Sequence, residues 1–120
     1  MDKKIFQSLI ADMFALIKAN KDDEVCKRFG ISKEIIDEIR ETISDYFGDW
    51  QEIKPIDINR RPESRANKPL FDVFEMNQLD TYGVECVLVD ANENETELIF
   101  HAEFVAINDG YNLLYKYIGS

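Results

Sequence analysis

The fold is decided by residues 82–120, which read YGVECVLVDANENETELIFHAEFVAINDGYNLLYKYIGS. Three runs rich in β-branched and aromatic residues lie here, at residues 83–90, 96–106 and 111–118. Such runs are typical of half-buried strands, and the polar residues between them are typical of turns. We therefore predict two successive antiparallel hairpins.

The second turn predicts the register of the strands on either side of it. Asp109-Gly110 favours a two-residue type I′ turn, in which both central residues have positive φ. This turn would place Ala106 opposite Leu113, Phe104 opposite Tyr115 and Ala102 opposite Tyr117. The looser turn at residues 91–95 would place Val84 opposite Ala102, Cys86 opposite Phe100 and Leu88 opposite Leu98. One face of the sheet is then apolar and is the predicted core: Val84, Cys86, Leu88, Leu98, Phe100, Ala102, Phe104, Leu113, Tyr115 and Tyr117.

The other face of the predicted sheet mixes apolar with charged side chains, namely Val87, Ile99, Val105, Leu114 and Ile118 with Glu85, Glu97, His101, Glu103 and Lys116. In the predicted register Glu85 lies opposite His101 and Glu103 opposite Lys116, and each such pair stabilises the ladder by roughly 0.2–1 kcal/mol. Such a face is either covered by a loop or helix, or it binds a ligand or partner. If its apolar residues are exposed as a patch, they predict a homodimer.

Three amphipathic segments before the strands predict helices that cover the core face. Apolar residues recur at three- and four-residue spacing between Ile5 and Ile17, which predicts the first helix. Residues 22–29 indicate a short second helix, with acids in its first turn and Gly30 as its C-terminal cap. Ser32 is a typical N-cap for a third helix, from Lys33 to Phe47.

The outer face of the third helix is acidic, with Glu34, Asp37, Glu38, Glu41 and Asp45. Like charges four residues apart destabilise a helix by about 0.2–0.5 kcal/mol per pair. The face is therefore either simply solvated or an acidic ridge that docks on a basic partner.

Length and composition limit the classes of protein. The 120 residues, 45% hydrophobic and 32% charged, predict a single globular domain over residues 1–120. No apolar run is long enough for a membrane span, and charges throughout the first helix argue against a signal peptide. Cys26 and Cys86 predict free thiols in a reducing cytoplasm. A single histidine excludes a site with several imidazole ligands, and no metal or cofactor motif is present, so we predict neither.

The net charge of −10 is distributed unevenly along the chain. Residues 70–120 carry 10 acids and 1 base, whereas residues 54–69 carry 2 acids and 5 bases. An acidic body repels phosphate backbones and anionic lipid, so we predict no direct binding of nucleic acid or membrane. It favours a basic protein partner.

The middle of the chain combines a weak strand signal with a basic segment. Residues 50–58 predict a strand that Pro55 confines to a sheet edge. Residues 59–69 predict a loop whose bases, Arg60, Arg61, Arg65 and Lys68, fold back onto the protein's own carboxylates rather than bind phosphate. Residues 70–76 predict a further strand.

The resulting order is α+β, with two or three N-terminal helices packed on one face of a four- or five-stranded, mostly antiparallel sheet. This order resembles the cystatin-like and NTF2-like architectures. The second of these often has a pocket on a concave sheet. That resemblance implies a small-molecule-binding protein or an enzyme, in which His101 with Glu85 or Glu103 would form an acid–base pair.

The small size, cytoplasmic chemistry and acidic surface instead resemble bacterial immunity proteins that neutralise a basic nuclease toxin, including those of contact-dependent growth inhibition systems. This resemblance implies a non-enzymatic inhibitor that lays carboxylates against the lysines and arginines of the toxin, blocking its active site or its nucleic-acid-binding surface. We favour this hypothesis over the enzyme. The candidate partner-binding residues are Glu34, Asp37, Glu38, Glu41, Asp45, Glu85, Glu97, His101 and Glu103.

Overall fold

The structure is a computed structural model that describes residues 3–57, 64–65 and 68–119, with backbone only at residues 64, 65, 68 and 69. Three helices come first, α1 (Lys3–Lys18), α2 (Asp22–Phe29) and α3 (Lys33–Phe47), followed by a short 3-10 turn at Trp50–Glu52. All three predicted helices are thereby confirmed.

The described strands follow the helices as β1 (Lys54–Pro55), β2 (Ser64–Arg65), β3 (Lys68–Pro69), β4 (Phe71–Glu75), β5 (Thr81–Val89), β6 (Glu95–Ile107) and β7 (Gly110–Gly119). Strands β5, β6 and β7 form an antiparallel meander. Strands β1 and β4 both pair with the edge of β5 that does not face β6. Strands β2 and β3 form a separate two-stranded ladder. The helices pack on one face of the five-stranded sheet, so the predicted α+β fold is confirmed.

The helix ends follow from the capping residues in the sequence. The hydroxyl of Ser32 accepts a hydrogen bond from the amide of Ile35 at 3.3 Å, which satisfies one amide of the first turn of α3. Gly30 ends α2 in the left-handed conformation, with φ of 66°, and its amide donates to the carbonyl of Cys26. Both predicted caps are confirmed.

The core lies between α1 and the inner face of the sheet. Phe6 stacks on Phe104 with ring centroids 4.3 Å apart, and Phe14 meets Phe100 edge-on at 5.5 Å. Eight predicted core residues of the sheet are at most 3% exposed: Val84, Cys86, Leu88, Leu98, Phe100, Ala102, Phe104 and Leu113. Tyr115 is half-buried and packs against this cluster.

The predicted register of β5 and β6 is confirmed over most of its length, with Val84 opposite Ala102, Glu85 opposite His101 and Cys86 opposite Phe100. The ladder then shifts, so that the predicted pairing of Leu88 with Leu98 gives way to Val89 opposite Glu95. Asp90 closes this turn by accepting hydrogen bonds from the amides of residues 92 and 94, both at 2.9 Å.

The predicted register of β6 and β7 is wrong by two residues. Ile107 pairs with Gly110, so the two-residue loop is residues 108–109, and Phe104 lies opposite Leu113 rather than Tyr115. Neither Asp109 nor Gly110 has positive φ, so the turn is not of type I′. Because side chains alternate with a period of two, a shift of two residues leaves each one on its predicted face.

A β-bulge at Lys116 reverses the faces of the last residues of β7. Tyr115 and Tyr117 lie opposite consecutive residues of β6, so Lys116 is the extra residue. Tyr117 therefore lies on the outer face at 55% exposure, and Ile118 enters the core at 9%. The prediction for both residues was wrong. The bulge buries the wholly apolar side chain of Ile118 and keeps the phenol of Tyr117 in contact with water.

The segment before β4 is only partly as predicted. The strand predicted at residues 50–58 is confined to β1, which lies at the sheet edge as Pro55 requires. The loop predicted at residues 59–69 contains the β2–β3 ladder, in which Ser64 lies opposite Pro69. The predicted contacts of Arg60, Arg61, Arg65 and Lys68 with carboxylates lie outside the described side chains.

Strands β1 and β4 are two parts of one edge, interrupted by residues 57–69. The carbonyl of Val87 accepts from the amide of Ile56, and the amide of Val87 donates to the carbonyl of Leu70, each at 3.0 Å. Ile56 and Leu70 are therefore both hydrogen-bonded to a single residue of β5.

Candidate partner-binding surface

The side of the sheet that faces away from the helices is the mixed face predicted from the sequence, and we call it the open sheet face. Its side chains include Asp72, Phe74, Glu85, Val87, Ile99, His101, Glu103, Val105, Leu114 and Tyr117. Phe74, Leu114 and Tyr117 are 39%, 45% and 55% exposed. The described helices pack on the opposite side, so none of them covers these apolar groups.

His101 lies near the middle of the open sheet face. Its ring stacks on Tyr117, with centroids 4.1 Å apart and an interplanar angle of 14°. The Nδ1 atom lies 3.9 Å from Oε2 of Glu85, the residue predicted to lie opposite it. This distance is an ion-pair contact for a protonated imidazole and is too long for a hydrogen bond. The stack places the Tyr117 ring flat against the imidazole.

Glu103 and Lys116 make the second predicted charge pair by a different geometry. The residue directly opposite Glu103 is Leu114, because the register is shifted. The Nζ atom of Lys116 nevertheless lies 3.6 Å from Oε2 of Glu103. In the predicted register Lys116 would lie directly opposite Glu103. In the observed register the two residues are diagonal neighbours, and the flexible lysine side chain spans the longer distance.

Phe74 joins the open sheet face through a residue that has no side chain. Its ring lies over Gly83, where an added Cβ would be 2.9 Å from Cδ2 of Phe74 and closer still to two other ring atoms. Gly83 therefore creates the space in which the aromatic ring lies flat on the strand. Sequence reasoning missed Phe74 as a surface residue. The alternation in FDVFE at residues 71–75 was the available signal, because it places Phe74 on the face opposite Phe71 and Val73.

The five acids predicted on α3 form a separate surface. Glu34, Asp37, Glu38, Glu41 and Asp45 are all exposed, while Ile36, Ile39 and Ile43 of the same helix enter the core. Asp37 is not free, because Nζ of Lys33 lies 2.8 Å from its Oδ1 atom. The structure thus divides eight of the nine predicted residues between two surfaces, five on α3 and three on the open sheet face. Glu85, His101 and Glu103 come together on the open sheet face.

Glu97 belongs to neither group. It lines a surface pocket of about 470 Å³ with Glu95 and Thr96 from β6 and with Tyr46 and Phe47 from the end of α3. The two aromatic rings are 50% and 42% exposed. Glu97 is therefore placed beside the C-terminal end of α3 rather than beside His101.

Arg40 of α3 is a charged side chain that makes hydrogen bonds to the other two helices. Its Nη1 atom donates to Oδ2 of Asp22 at 2.8 Å, and its Nη2 atom donates to the carbonyl of Ile17 at 2.9 Å. The guanidinium also lies 5.0 Å from the centroid of the Trp50 ring. Hydrogen bonds from Arg40 and then from Lys33 hold the pKa of the Asp22 carboxyl well below its usual range. The contacts of Arg40 and Asp22 therefore join the three helices to one another.

Other chemistry is limited within the described residues. Across residues 3–57 and 68–119, no three histidine, cysteine, aspartate or glutamate side chains are placed to hold a metal ion. No helix in the described part of the chain is long and apolar enough to cross a membrane. Both cysteines are free thiols, and burial raises the pKa of Cys86 to about 12, so this thiol is a core residue rather than a nucleophile.

Comparison with protein-family models, with curated protein sequences and with solved structures finds no match to this chain. The functional argument therefore rests on the geometry of the surfaces described above.

Proposed function

We propose that this protein binds a basic protein partner through the open sheet face and neutralises it, as bacterial immunity proteins do with nuclease toxins. The observation that supports this most directly is the exposure of Phe74, Leu114 and Tyr117 beside carboxylates, on a face that no described helix covers. Apolar and aromatic groups surrounded by charge are typical of a protein interface.

The two kinds of side chain on this face have different roles in the proposal. Tyr117 and Phe74 supply binding energy, because aromatic residues dominate the energetics of interfaces. The stack with His101 and the space over Gly83 hold these rings in place before binding, which reduces the entropy lost on association. Asp72, Glu85 and Glu103 attract the partner's lysines and arginines and thereby accelerate association.

The charge of the chain supports a basic rather than an acidic partner. The sheet half, residues 70–120, carries 10 acids and 1 base. A toxin that holds nucleic acid has exposed lysines and arginines, and carboxylates laid against them would block that surface. The proposal places the protein in the cytoplasm, where free thiols such as Cys26 and Cys86 stay reduced.

The test compares two variants that remove the same charge from the two sides of the molecule. Glu85→Gln with Glu103→Gln alters the open sheet face, and Glu34→Gln with Glu41→Gln alters α3. Each variant and the parent chain would be used to capture proteins from the native lysate, and the dissociation constant of the captured partner would then be measured by calorimetry at low and high salt.

We expect the parent chain and the α3 variant to capture the same basic protein, and the open-face variant to bind it more weakly. Truncating an interface anchor costs about 2 kcal/mol or more, so Tyr117→Ala should weaken binding by roughly 30-fold or more. A partner lost with the α3 variant and kept by the open-face variant would refute the assignment to this face. A chain that sediments as a dimer, with Tyr117→Ala monomeric, would show that a second copy covers the face instead.

The contact between His101 and Glu85 favours one alternative, a small-molecule-binding protein or enzyme of NTF2-like architecture. The 3.9 Å separation would allow the carboxylate to orient the imidazole as an acid–base group. In that case the purified chain would carry or turn over a small ligand, and His101→Ala would lose that property. A purified chain that neither carries nor turns over a small ligand would eliminate the alternative.

A further inference from the structure

A cleft of about 410 Å³ lies between α1 and β1, on a part of the molecule separate from the open sheet face. One wall comes from α1, through Lys4, Ser8, Ala11, Ala15 and Lys18, and Lys54 of β1 stands on the other side. We call this the lysine cleft. Its volume is within the range of pockets that bind small molecules.

The shape of the lysine cleft follows from the spacing of residues on α1. Lys4, Ser8, Ala11, Ala15 and Lys18 succeed one another at three- and four-residue intervals, so they form one stripe along the helix. The small side chains of Ser8, Ala11 and Ala15 make a shallow floor. Lys4 and Lys18 stand at its two ends, about 21 Å apart along the helix axis, so a compact ligand on the floor can reach only one of them.

The charge of the cleft is opposite to the charge of the protein. Counting only residues that the structure describes, its lining contains three lysines against two acids, Asp57 and Glu93, whereas the whole chain has 14 bases and 24 acids. Asp57 and Glu93 each have an interaction partner. Within the described part of the chain, the cleft therefore carries a local excess of positive charge.

Two of these lysines repel each other. Burial, and then the nearby charge of Lys54, lowers the pKa of the Lys18 ammonium. Lys54 also lies near Asp90, whose pKa is lowered mainly by a hydrogen bond from the amide of Asn94 and to a smaller extent by the charge of Lys54. An anion placed between Lys18 and Lys54 would remove their repulsion and make charge-assisted hydrogen bonds with both.

We infer that the lysine cleft binds a compact oxyanion with two negative charges, the chemistry shared by a phosphate monoester and a small dicarboxylate. Lys18 of α1 and Lys54 of β1 lie near each other in the lining, and the floor beside them is open enough for a ligand. A long polyanion does not fit this description, because the net charge of −10 repels it over the rest of the surface. The inference is independent of the proposed partner binding, which uses the other side of the sheet.

The test is a titration of the full chain with inorganic phosphate and, separately, with malonate, against sodium chloride at matched ionic strength. Binding would be followed by amide chemical shifts in NMR spectra. We expect saturable shifts confined to α1 and β1. Removing one charge-assisted contact weakens binding by about tenfold or more, so Lys18→Gln and Lys54→Gln should each raise the dissociation constant by that factor.

Two further variants separate a site from general electrostatics. Lys27→Gln removes the same charge from the exposed surface of α2 and should bind phosphate within twofold of the parent chain. Ala15→Leu keeps every charge but fills the floor, and should weaken binding. Saturation by phosphate alone would identify a phosphoryl ligand, and saturation by both probes would identify dianions in general.

The inference is overturned if phosphate and malonate produce no more than the chloride response. It is also overturned if Lys27→Gln weakens binding as much as Lys18→Gln does. A ten-nucleotide single strand that bound the cleft more tightly than phosphate would contradict the restriction to compact anions.

Discussion

The ion pair between Arg40 and Asp22 is the least solvent-exposed of the described salt bridges, with side chains 17% and 13% exposed. One guanidinium joins three parts of the helical layer, because it also donates to Ile17 at the end of α1 and lies over Trp50 after α3. We predict that Asp22→Asn, which keeps the shape of the side chain and removes its charge, destabilises the protein measurably.

The expected size of this effect follows from the contacts that change. A hydrogen bond to a charged group contributes about 1.5–3 kcal/mol, and the pair retains some access to water, so we take the lower half of that range. Arg40 would also be left with a weaker counter-charge, since Asp37 lies at 3.6 Å and is itself exposed. The free energy of unfolding at pH 7 should fall by about 1.5–2 kcal/mol.

The same contact predicts a dependence on pH. Hydrogen bonds from Arg40 and Lys33 lower the pKa of Asp22 in the folded state, whereas an unfolded aspartate titrates near about 3.9. A group with a lowered folded pKa stabilises the protein above the unfolded pKa, and this contribution is lost as the pH falls toward the folded pKa. The difference between the parent chain and Asp22→Asn should therefore be full at pH 7 and shrink below about pH 4.

Urea unfolding followed by the fluorescence of Trp50 measures both effects, because this indole lies directly under the Arg40 guanidinium. Asp23→Asn is the matched control, since Asp23 lies in the same first turn of α2 but is exposed. The control should stay within about 0.5 kcal/mol of the parent chain. The reasoning is refuted if Asp22→Asn is as stable as the control at pH 7, or if its deficit persists undiminished at pH 2.5.

Three other predictions, two on substitutions and one on thiol reactivity, test separate parts of the fold. Gly83→Val should cost about 1–3 kcal/mol in urea unfolding, because its side chain collides with the ring of Phe74; adding Phe74→Ala should recover most of this loss, and no recovery would contradict the contact. Ser32→Ala removes the N-cap of α3 and should cost about 1 kcal/mol, measured in the same way, with an unchanged midpoint counting against the cap. Cys86 should resist a thiol reagent at pH 8 in the folded protein while half-buried Cys26 reacts, and two equally fast thiols would contradict the burial.

The helices could be predicted from the sequence because their signals are local. Ser32, Gly30 and the apolar spacing of α1 act through contacts within a few residues, and the structure places each of them as expected. The first half of the sheet followed in the same way, since the alternating residues of β5 and β6 match over several consecutive pairs.

The end of β7 could not be predicted because its bulge depends on a choice between two distant environments. The residues YKYI alternate without interruption, and nothing in them marks Lys116 as unpaired. Burying Ile118 in the core and stacking Tyr117 on His101 become alternatives only after β6 is in place. The error affected the candidate surface directly, because Tyr117 is its most exposed aromatic residue.

The lysine cleft could not be predicted from the sequence, because it too depends on residues that are distant along the chain. Lys4 and Lys18 read as ordinary interleaved charges of an amphipathic helix, and Lys54 lies far from them along the chain. Only the packing of α1 beside β1 brings Lys18 and Lys54 together in the lining of one cleft. The net charge of −10 is a sum over the whole chain and carries no information about a local excess of positive charge.

The edge of β5 provides a position at which a peptide can be inserted between Ile56 and Leu70. Because Ile56 and Leu70 are held by the same residue, Val87, the sheet already joins the two ends of whatever chain lies between them. The entropy of closing a loop rises only slowly with its length, so a longer or foreign peptide should fit there with little loss of stability. Changes in the length or sequence of the chain between Ile56 and Leu70 should therefore leave the helical layer and the open sheet face intact.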